Sequence, residues 1–145
     1  MEQKTVEDLL QKLAGSDGWK VRPDGVWVDA PALDPVAAAE LLRGAGARLS
    51  TLSAIAREDG ETWVIDHYLL DGTALNLRYL TRGGHLPSIA AAMPAANWIE
   101  REIHDLFAVQ FDGHPDPRRL VRPPEVPEGF FRRPGGAAAR QERKV

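Results

Sequence analysis

Ionisable side chains are concentrated between residues 100 and 119. This stretch contains Glu100, Arg101, Glu102, His104, Asp105, His114, Arg118 and Arg119. Carboxylates beside a histidine are the groups that general acid–base catalysis uses. Carboxylates near arginines also form paired hydrogen bonds with the guanidinium, which can fix one segment of a protein against another. The same residues therefore allow a catalytic interpretation and an architectural one.

A helix from Asn97 to Phe107 is predicted to carry the first part of this stretch. Asn97 followed by Glu100 is typical of a capping box, in which Glu100 reaches back to the start of the helix. At 100° per residue, the apolar positions cover an arc of about 180°. These positions are Trp98, Ile99, Ile103, Leu106 and Phe107. Glu102 falls inside the arc, between Trp98 and Leu106.

A carboxylate in the apolar stripe of a helix costs free energy unless another group pairs with it. We therefore predict that an arginine of the Arg118–Arg119 segment pairs with Glu102, because a guanidinium holds a carboxylate through two parallel hydrogen bonds. The alternative is that Glu102 lies at the edge of the stripe and extends to water.

The catalytic interpretation is less favoured. It would use His104 with Asp105 and Glu102, or His67 with Asp66. His104 is expected to face Glu100 one turn away, as an ordinary pair on a helix surface. Asp66 and His67 are neighbours in a predicted strand, so their side chains point to opposite faces. The four histidines, at positions 67, 85, 104 and 114, do not have the spacing of metal ligands.

The composition is that of a globular domain. The chain has 145 residues, 43% of them hydrophobic and 27% charged, which suits a single compact domain. No stretch approaches the roughly 20 apolar residues of a membrane-spanning helix, and the polar N-terminus does not resemble a signal peptide. The chain has no cysteine. Disulfides, thiol catalysis and the thiolate ligands of iron–sulfur clusters are therefore excluded.

Charge is distributed unevenly along the chain. Residues 116–145 contain eight basic and four acidic side chains, a net charge of +4, whereas the first 115 residues carry −7. A basic tail on an acidic body indicates an interaction segment, although a solvated tail without a partner has the same composition. A nucleic-acid binder is a remote alternative, because the body is acidic and lacks interleaved aromatic and basic residues.

The pattern of apolar residues predicts two N-terminal helices and a group of strands. The helices run from Thr5 to Ala14, with Thr5 as cap, and from the cap Asp34 to about Arg43. The predicted strands are 26–29, 49–57, 62–70, 74–81 and 108–111. Asp59-Gly60 and Asp71-Gly72 separate three of these strands, which indicates an antiparallel meander. A further short helix is predicted from Leu86 to Met93.

The predicted fold class is α+β, a two-layer domain with an antiparallel or mixed sheet and helices on one face. Residues 1–121 are expected to form this domain. Residues 122–145 are expected to form an extended tail, rich in proline and arginine, that wraps a partner or is disordered. Proline cannot donate a backbone hydrogen bond and is excluded from regular helix and central strand.

A longer motif spans residues 100 to 121. It reads Glu-Arg-Glu, two residues, Asp-Leu-Phe, six residues, His, three residues, Arg, one residue, Leu-Val. It resembles the signature of the 30 kDa subunit of respiratory complex I, the NADH:quinone oxidoreductase, and of related membrane-bound energy-converting hydrogenases. The positions that carry the resemblance are Glu100, Arg101, Glu102, Asp105, Leu106, Phe107, His114, Arg118, Leu120 and Val121.

The resemblance has two departures. Ala108 stands where the family usually has glycine, which leads us to expect that this residue does not adopt a left-handed conformation. The segments Asp116-Pro117-Arg118-Arg119 and Pro127-Glu128-Gly129 are more similar to the hydrogenase and formate hydrogenlyase relatives. The equivalent subunit of such a nickel–iron complex is therefore the alternative to complex I.

The resemblance implies a non-catalytic subunit of the hydrophilic arm that docks on the large hydrogenase-like (49 kDa-type) subunit. It implies no cofactor in this chain, with iron–sulfur clusters and the NADH, quinone or nickel–iron sites on partner subunits. It also implies a peripheral position on the cytoplasmic face of the membrane. The residues expected to fix the C-terminal corner or contact the partner are the signature positions together with Gly113, Pro115 and Arg119, and in the tail Arg122, Phe130, Phe131, Arg132 and Arg133.

Overall fold

The computed structural model describes residues 3–15, 18–116 and 118–131. Its elements are α1 (Gln3–Ala14), β1 (Trp19–Arg22), β2 (Gly25–Asp29), α2 (Pro35–Gly44), β3 (Arg48–Ala56), β4 (Thr62–Leu70), β5 (Thr73–Leu80), β6 (His85–Pro87), α3 (Ala96–Phe107) and β7 (Gln110–Asp112). Strands β1 to β5 form one mixed sheet in the order β1-β2-β5-β4-β3, and β6 and β7 form a small parallel pair. The predicted α+β class is confirmed.

The meander β3-β4-β5 is the most local part of the sheet and matches its prediction. Both strand pairs, β3 with β4 and β4 with β5, are antiparallel, and Asp66 of β4 lies opposite Leu52 and Leu77. Asp71 and Gly72 both have positive φ, at 48° and 78°, which is the conformation that a tight hairpin turn requires.

The other half of the sheet contains the features that the sequence did not predict. β1 pairs with β2 as an antiparallel hairpin, and β2 then lies parallel to β5, with Val26 beside Leu75. The sequence of β1 is typical of a strand, since Trp19-Lys20-Val21-Arg22 alternates apolar and basic residues. No local sequence pattern indicates the parallel pairing of β2 with β5, because α2, β3 and β4 separate these two strands in sequence.

The helices cover one face of the five-stranded sheet, as predicted. Their buried residues, among them Leu13 of α1, Leu42 of α2 and Ile103 of α3, join the inward side chains of β2 to β5 in one core. α1 begins two residues earlier than predicted, at Gln3. None of the helices in the described part of the chain has the length and apolarity that crossing a bilayer requires.

The opposite face of the sheet is covered by its own side chains. Arg78 lies 4.1 Å and Arg57 lies 5.4 Å from the ring centre of Trp63, as cation–π contacts. Beside them His67 Nδ1 lies 2.7 Å from the side-chain oxygen of Asn76, and His67 Nε2 lies 2.8 Å from Ser53 Oγ. This face therefore keeps a polar and aromatic surface, and none of the helices α1 to α3 lies over it.

The predicted helix from Leu86 to Met93 is wrong. Leu86 and Pro87 belong to β6, which pairs with β7, and only a single turn follows, closed by the bond from Met93 N–H to the Ile89 carbonyl (2.7 Å). The N–H groups at the start of this segment have acceptors outside it, because Ser88 donates its N–H to the Asp112 carbonyl and Ile89 donates its N–H to the Glu100 side chain. Long-range hydrogen bonds thus override the local helical pattern.

Asp34 caps the start of α2, as predicted, and the contribution of this cap to stability can be measured. Asp34 Oδ1 accepts the Ala37 N–H at 2.8 Å, and Pro35 occupies the first turn. Asp34→Ala should lower the free energy of unfolding by about 1 kcal/mol, since a helix N–H loses its acceptor. Urea unfolding measures the change. Asp34→Asn retains an acceptor and serves as control, and an equal loss in both variants would show that the cap is not the cause.

Candidate functional site

Glu100, and not Glu102, is the carboxylate that α3 turns into the protein. Glu100 is 1% exposed, whereas Glu102 is exposed. Glu100 accepts the Ser88 hydroxyl at 2.6 Å and the Ile89 N–H at 3.0 Å. The predicted pairing of Glu102 with Arg118 or Arg119 is therefore wrong, because the core lies on the Glu100 side of the apolar arc.

The start of α3 differs from the predicted capping box for the same reason. Ala95 is the N-cap, and no side chain among the described residues caps the helix. Glu100 is engaged by Ser88 and Ile89, so it is not available to the first turn. The carbonyl of Asn97 instead accepts a hydrogen bond from His114 Nε2 (2.9 Å).

Asp66 on β4 is a second buried carboxyl group, close enough to Glu100 for the two charges to interact. Asp66 is 2% exposed. Burial raises the pKa of Asp66 well above its ordinary value, and the charge of Glu100 raises it further. Burial also raises the pKa of Glu100, against the opposing effects of Ser88 and Ile89. Asp66 is absent from the architectural prediction, although its position between Val64 and Tyr68 in the strand alternation marks it as inward-facing.

Asp105 anchors the segment that follows the small parallel pair. Its side chain is fully buried, and Oδ2 accepts the N–H groups of Leu120 (2.7 Å), Val121 (2.8 Å) and Arg122 (3.2 Å). Arg122 Nε lies 3.8 Å from Asp105 Oδ1. Burial alone would raise the pKa of Asp105, but the three N–H donors and the arginine charge outweigh it and lower the pKa.

Arg101 holds the same segment from one turn earlier on the helix. Its guanidinium donates to the carbonyls of Arg118 (Nε, 2.9 Å) and Arg119 (Nη2, 3.1 Å). It also lies 3.5 Å from Asp116. Arg118 in turn grips Asp116 through two hydrogen bonds of 2.7 and 2.9 Å, which strongly lower the pKa of Asp116. The signature arginines therefore bind backbone carbonyls and a local carboxylate, and Asp116 was missing from the predicted set.

His114 completes the corner between β7 and residues 118–122. Its Nδ1 accepts the Asp116 N–H at 2.9 Å, and its Nε2 also lies 3.7 Å from Glu100. Both ring nitrogens are therefore engaged, Nε2 by the Asn97 carbonyl and Nδ1 by the Asp116 N–H. Gly113 lies in the preceding turn with φ of 79°, and Pro115 is exposed.

His104 does not face Glu100 as expected. His104 Nδ1 donates to the Val109 carbonyl at 2.9 Å, and Nε2 lies 3.1 Å from Glu128. The predicted surface pair is therefore replaced by contacts to residues beyond the helix end. Asp66 and His67 do lie on opposite faces of the sheet, as the strand geometry predicted.

The C-terminal end of α3 is closed by the tail. Ala108 adopts a left-handed conformation, with φ of 56° and ψ of 28°, so the expectation that it would not is wrong. The Gly129 N–H donates to the Asp105 carbonyl (2.9 Å), and the Phe131 N–H donates to the Leu106 carbonyl (2.8 Å). These bonds satisfy carbonyls that every helix leaves unpaired at its end. A Cβ on Gly129 would lie 2.8 Å from the Ala108 methyl group, so glycine permits this approach.

The remaining predicted site residues are distributed along this junction. Phe107 contacts Phe131, and Phe130 contacts Phe131, each with ring centres 5.7 Å apart. Arg122 Nη1 donates to the Val126 carbonyl. Arg132 and Arg133 lie outside the described residues.

The corner encloses little space. The depression lined by Glu100, Arg101, His104, Gln110, Phe111 and His114 has a volume of about 40 Å³, close to that of one water molecule. A larger cleft of about 710 Å³ lies elsewhere, between residues 30–35, the end of β5 and β6. Within the part of the chain that the structure describes, no group of three or more His, Asp or Glu side chains could hold a metal ion.

The arrangement joins three segments of one chain. Glu100 binds the turn after β6, Arg101 and Asp105 bind residues 118–122, and the end of α3 binds residues 129–131. Ser88 is the contributor that sequence reasoning could not find, because nothing local links it to Glu100. Chemically, the corner positions backbone groups, and the depression beside Glu100 has about the volume of one water molecule.

Removing the Asp105 carboxylate should release residues 118–131. Asp105→Ala leaves three N–H groups without an acceptor, and we expect a loss of about 3 kcal/mol in the free energy of unfolding. We also expect faster tryptic cleavage after Arg118 and Arg119. The matched control is Glu102→Gln on the same helix, which should change stability by less than about 0.5 kcal/mol. Equal effects of the two substitutions would contradict the anchoring role.

The buried pair Asp66 and Glu100 should make stability depend on pH in a defined direction. Their folded pKa values are raised from the ordinary 3.8 and 4.5. The unfolded chain therefore ionises first, and their contribution falls as pH rises above about 4. Asp105 and Asp116, with lowered pKa values, act oppositely and lose stabilisation only as pH falls below about 4.

Asp66→Asn isolates the first effect. Its stability relative to the native protein should be higher at pH 7.5 than at pH 4.5 in urea unfolding measurements, because the variant has no carboxyl group to ionise at this position. Glu58→Gln, at an exposed position between β3 and β4, serves as control. A difference between Asp66→Asn and the native protein that stays constant over this range would show that the pKa of Asp66 is not raised.

Comparisons with known proteins agree with this architecture. The model of the family described as "Respiratory-chain NADH dehydrogenase, 30 Kd subunit" matches residues 26–134. A Methylococcus capsulatus protein, named as the C/D subunit of NADH-quinone oxidoreductase, is 64% identical over 39 residues, which are 27% of this chain and 7% of that protein. A Chlorobium phaeobacteroides protein, named as the C subunit of the same enzyme, is 46% identical over 57 residues, which are 39% of this chain and 34% of that protein.

The matched segments thus cover less than two thirds of either relative. A solved structure of the trypsin-resistant fragment of Nqo5 has a TM-score of 0.57 at 20% identity, covering 79% of this chain and 97% of that chain. That similarity shows a shared fold. Because the family model spans well over half of the sequence, including the whole α3 corner, this chain belongs to the family of the 30 kDa subunit of the respiratory-chain NADH dehydrogenase.

Proposed function

We propose that this protein is a non-catalytic structural subunit of the hydrophilic arm of an NADH:quinone oxidoreductase. The observation that carries the proposal is the use of the signature side chains. Glu100, Arg101 and Asp105 form hydrogen bonds with hydroxyl, carbonyl and N–H groups of this same chain. They build a rigid corner, and their geometry supports architecture over chemistry.

The partner in this proposal is the large, hydrogenase-like subunit, which corresponds to the D part of relatives whose names join C and D. One such relative carries both designations in a single chain. Two subunits that are joined in one protein are held close together, which supports a direct contact between the separate chains. The names of the relatives also favour the complex I branch over the hydrogenase alternative.

The tail is proposed to extend over this partner. Residues 118–131 are fixed to α3 by backbone bonds, so the following residues start from a defined place. They include Arg132, Arg133, Arg140, Arg143 and Lys144 against the single acid Glu142. Arginine and phenylalanine are common anchors at protein interfaces.

Cofactors and location follow from the same proposal. This chain carries no cofactor of its own, and the iron–sulfur clusters and the NADH and quinone sites belong to other subunits. The protein lies on the cytoplasmic face, attached to the membrane only through the complex. It binds no nucleic acid.

Affinity purification tests the proposal. Tagged protein from gently solubilised membranes of the source cells should recover the D-type subunit together with the flavin- and cluster-bearing NADH-oxidising subunits, identified by mass spectrometry. Recovery of a large subunit with two Cys-x-x-Cys pairs would establish the hydrogenase alternative instead. Recovery of neither would overturn the proposal.

Charge reversal tests the role of the tail. Arg132→Glu with Arg133→Glu should reduce recovery of the D-type subunit by about tenfold, because the partner surface for these cations would repel the new carboxylates. Lys20→Glu with Arg22→Glu on β1 is the matched control and should leave recovery within about twofold. Equal recovery with both double variants would remove these arginines from the interface.

A further inference from the structure

The apolar arc of α3 is wider than the core that it packs on. At 100° per residue, Trp98, Glu102 and Leu106 form one stripe that spans about 80° of the helix surface. Trp98 is 68% exposed, Glu102 is exposed and Leu106 is half-buried. Ile103 and Ala96, on the other side of the arc, are buried in the core. Half of the apolar arc is therefore left uncovered by the residues that the structure describes.

Neighbouring residues extend this stripe into a larger surface. Val121, whose N–H is held by Asp105, is 52% exposed. Phe131, whose N–H binds the Leu106 carbonyl at the helix end, is also 52% exposed. Three of the five large hydrophobic side chains that are exposed in the described part of the chain thus lie at this corner; the others are Val21 and Ile55. Clustered exposed apolar residues mark interaction sites more often than scattered ones do.

The Glu102 carboxylate indicates that a partner of this surface would supply a positive charge. Glu102 lies between Trp98 and Leu106, and it makes no hydrogen bond or ion pair with any other residue that the structure describes. The nearby arginines are engaged, since Arg101 binds backbone carbonyls and Arg118 binds Asp116. Covering the stripe would remove water from Glu102, which costs free energy unless the covering protein supplies a cation.

The path of the chain indicates which protein covers the stripe. Residue 131 lies at the end of α3, and the basic run of residues 132–145 continues from there. Because Arg132 follows Phe131 directly in sequence, a partner that binds the first arginines of that run is within reach of Phe131 and of the stripe. One partner can therefore bind both.

We propose that Trp98, Glu102 and Leu106, continued by Val121 and Phe131, form a docking surface for the D-type subunit. Trp98 enters an apolar depression of that protein, and one of its arginine or lysine side chains pairs with Glu102. This inference rests on the proposed function for the identity of the partner. It adds a helical surface to the contact that was assigned to the tail.

Site-specific photo-crosslinking tests proximity directly. The complex is prepared from source cells that express the tagged full-length chain with p-benzoylphenylalanine in place of Trp98, and irradiated. The expected result is a covalent adduct with the D-type subunit. The same group in place of Val21, which is 79% exposed on β1, is the matched control and should give at least tenfold less of that adduct.

Substitutions test the energetics of the same surface. Trp98→Ala should lower recovery of the D-type subunit by about tenfold or more, as expected for a tryptophan at the centre of an interface. Trp98→Phe should retain most of it, and Ile55→Ala should have no effect. Glu102→Arg should weaken recovery more than Glu102→Gln, because it opposes the partner's cation. Unchanged melting temperatures of the purified variants show that folding is intact.

The outcomes separate this inference from the proposed function. If the unmodified chain recovers no D-type subunit, the proposed function fails. If it recovers that partner but the adduct at position 98 is absent, or forms only with another protein, the docking surface is overturned while the function stands. Equal recovery with Trp98→Ala and Ile55→Ala would overturn it as well.

Discussion

The acceptance of three successive N–H groups by one oxygen of Asp105 is the interaction on which the C-terminal third of the structure depends. Residues 120–122 contain no regular secondary structure that could satisfy their own backbone. A buried carboxylate supplies the acceptor that a neighbouring strand would otherwise provide. With those residues fixed, Arg101 can bind the carbonyls just before them. Residues 129 and 131 can then reach the end of α3.

Local chemistry explains the parts of the fold that the sequence predicts well. Asp34-Pro35 marks the start of α2, and the Asp-Gly pairs define the meander, because each signal acts within a few residues. The β2–β5 pairing and the Ser88–Glu100 bond could not be predicted in the same way, since their partners are distant in sequence. The prediction that Glu102 is the paired carboxylate is wrong for a related reason. An apolar arc of about 180° does not indicate which of its halves meets the core.

Three carboxyl groups lie in the interior of the described part of this protein. Asp66, Glu100 and Asp105 are all buried, yet they differ in how they are compensated. Asp105 has three N–H donors and an arginine nearby, Glu100 has two donors, and Asp66 is affected mainly by burial and by the charge of Glu100. The first serves to anchor a segment. The other two make the fold less stable at neutral pH than an apolar core of the same shape would be.

The hook formed by residues 118–131 also constrains the order in which the chain can mature on the ribosome. The hydrogen-bond acceptors for this segment lie on α3, which is synthesised first. The Asp105 carboxylate therefore lacks its N–H donors until residues 120–122 emerge from the ribosome. Closing a loop of about fifteen residues is rapid once they are free. The surface that carries Val121 and Phe131 therefore comes into existence last. A nascent chain cannot present the complete surface before residue 131 has left the ribosome.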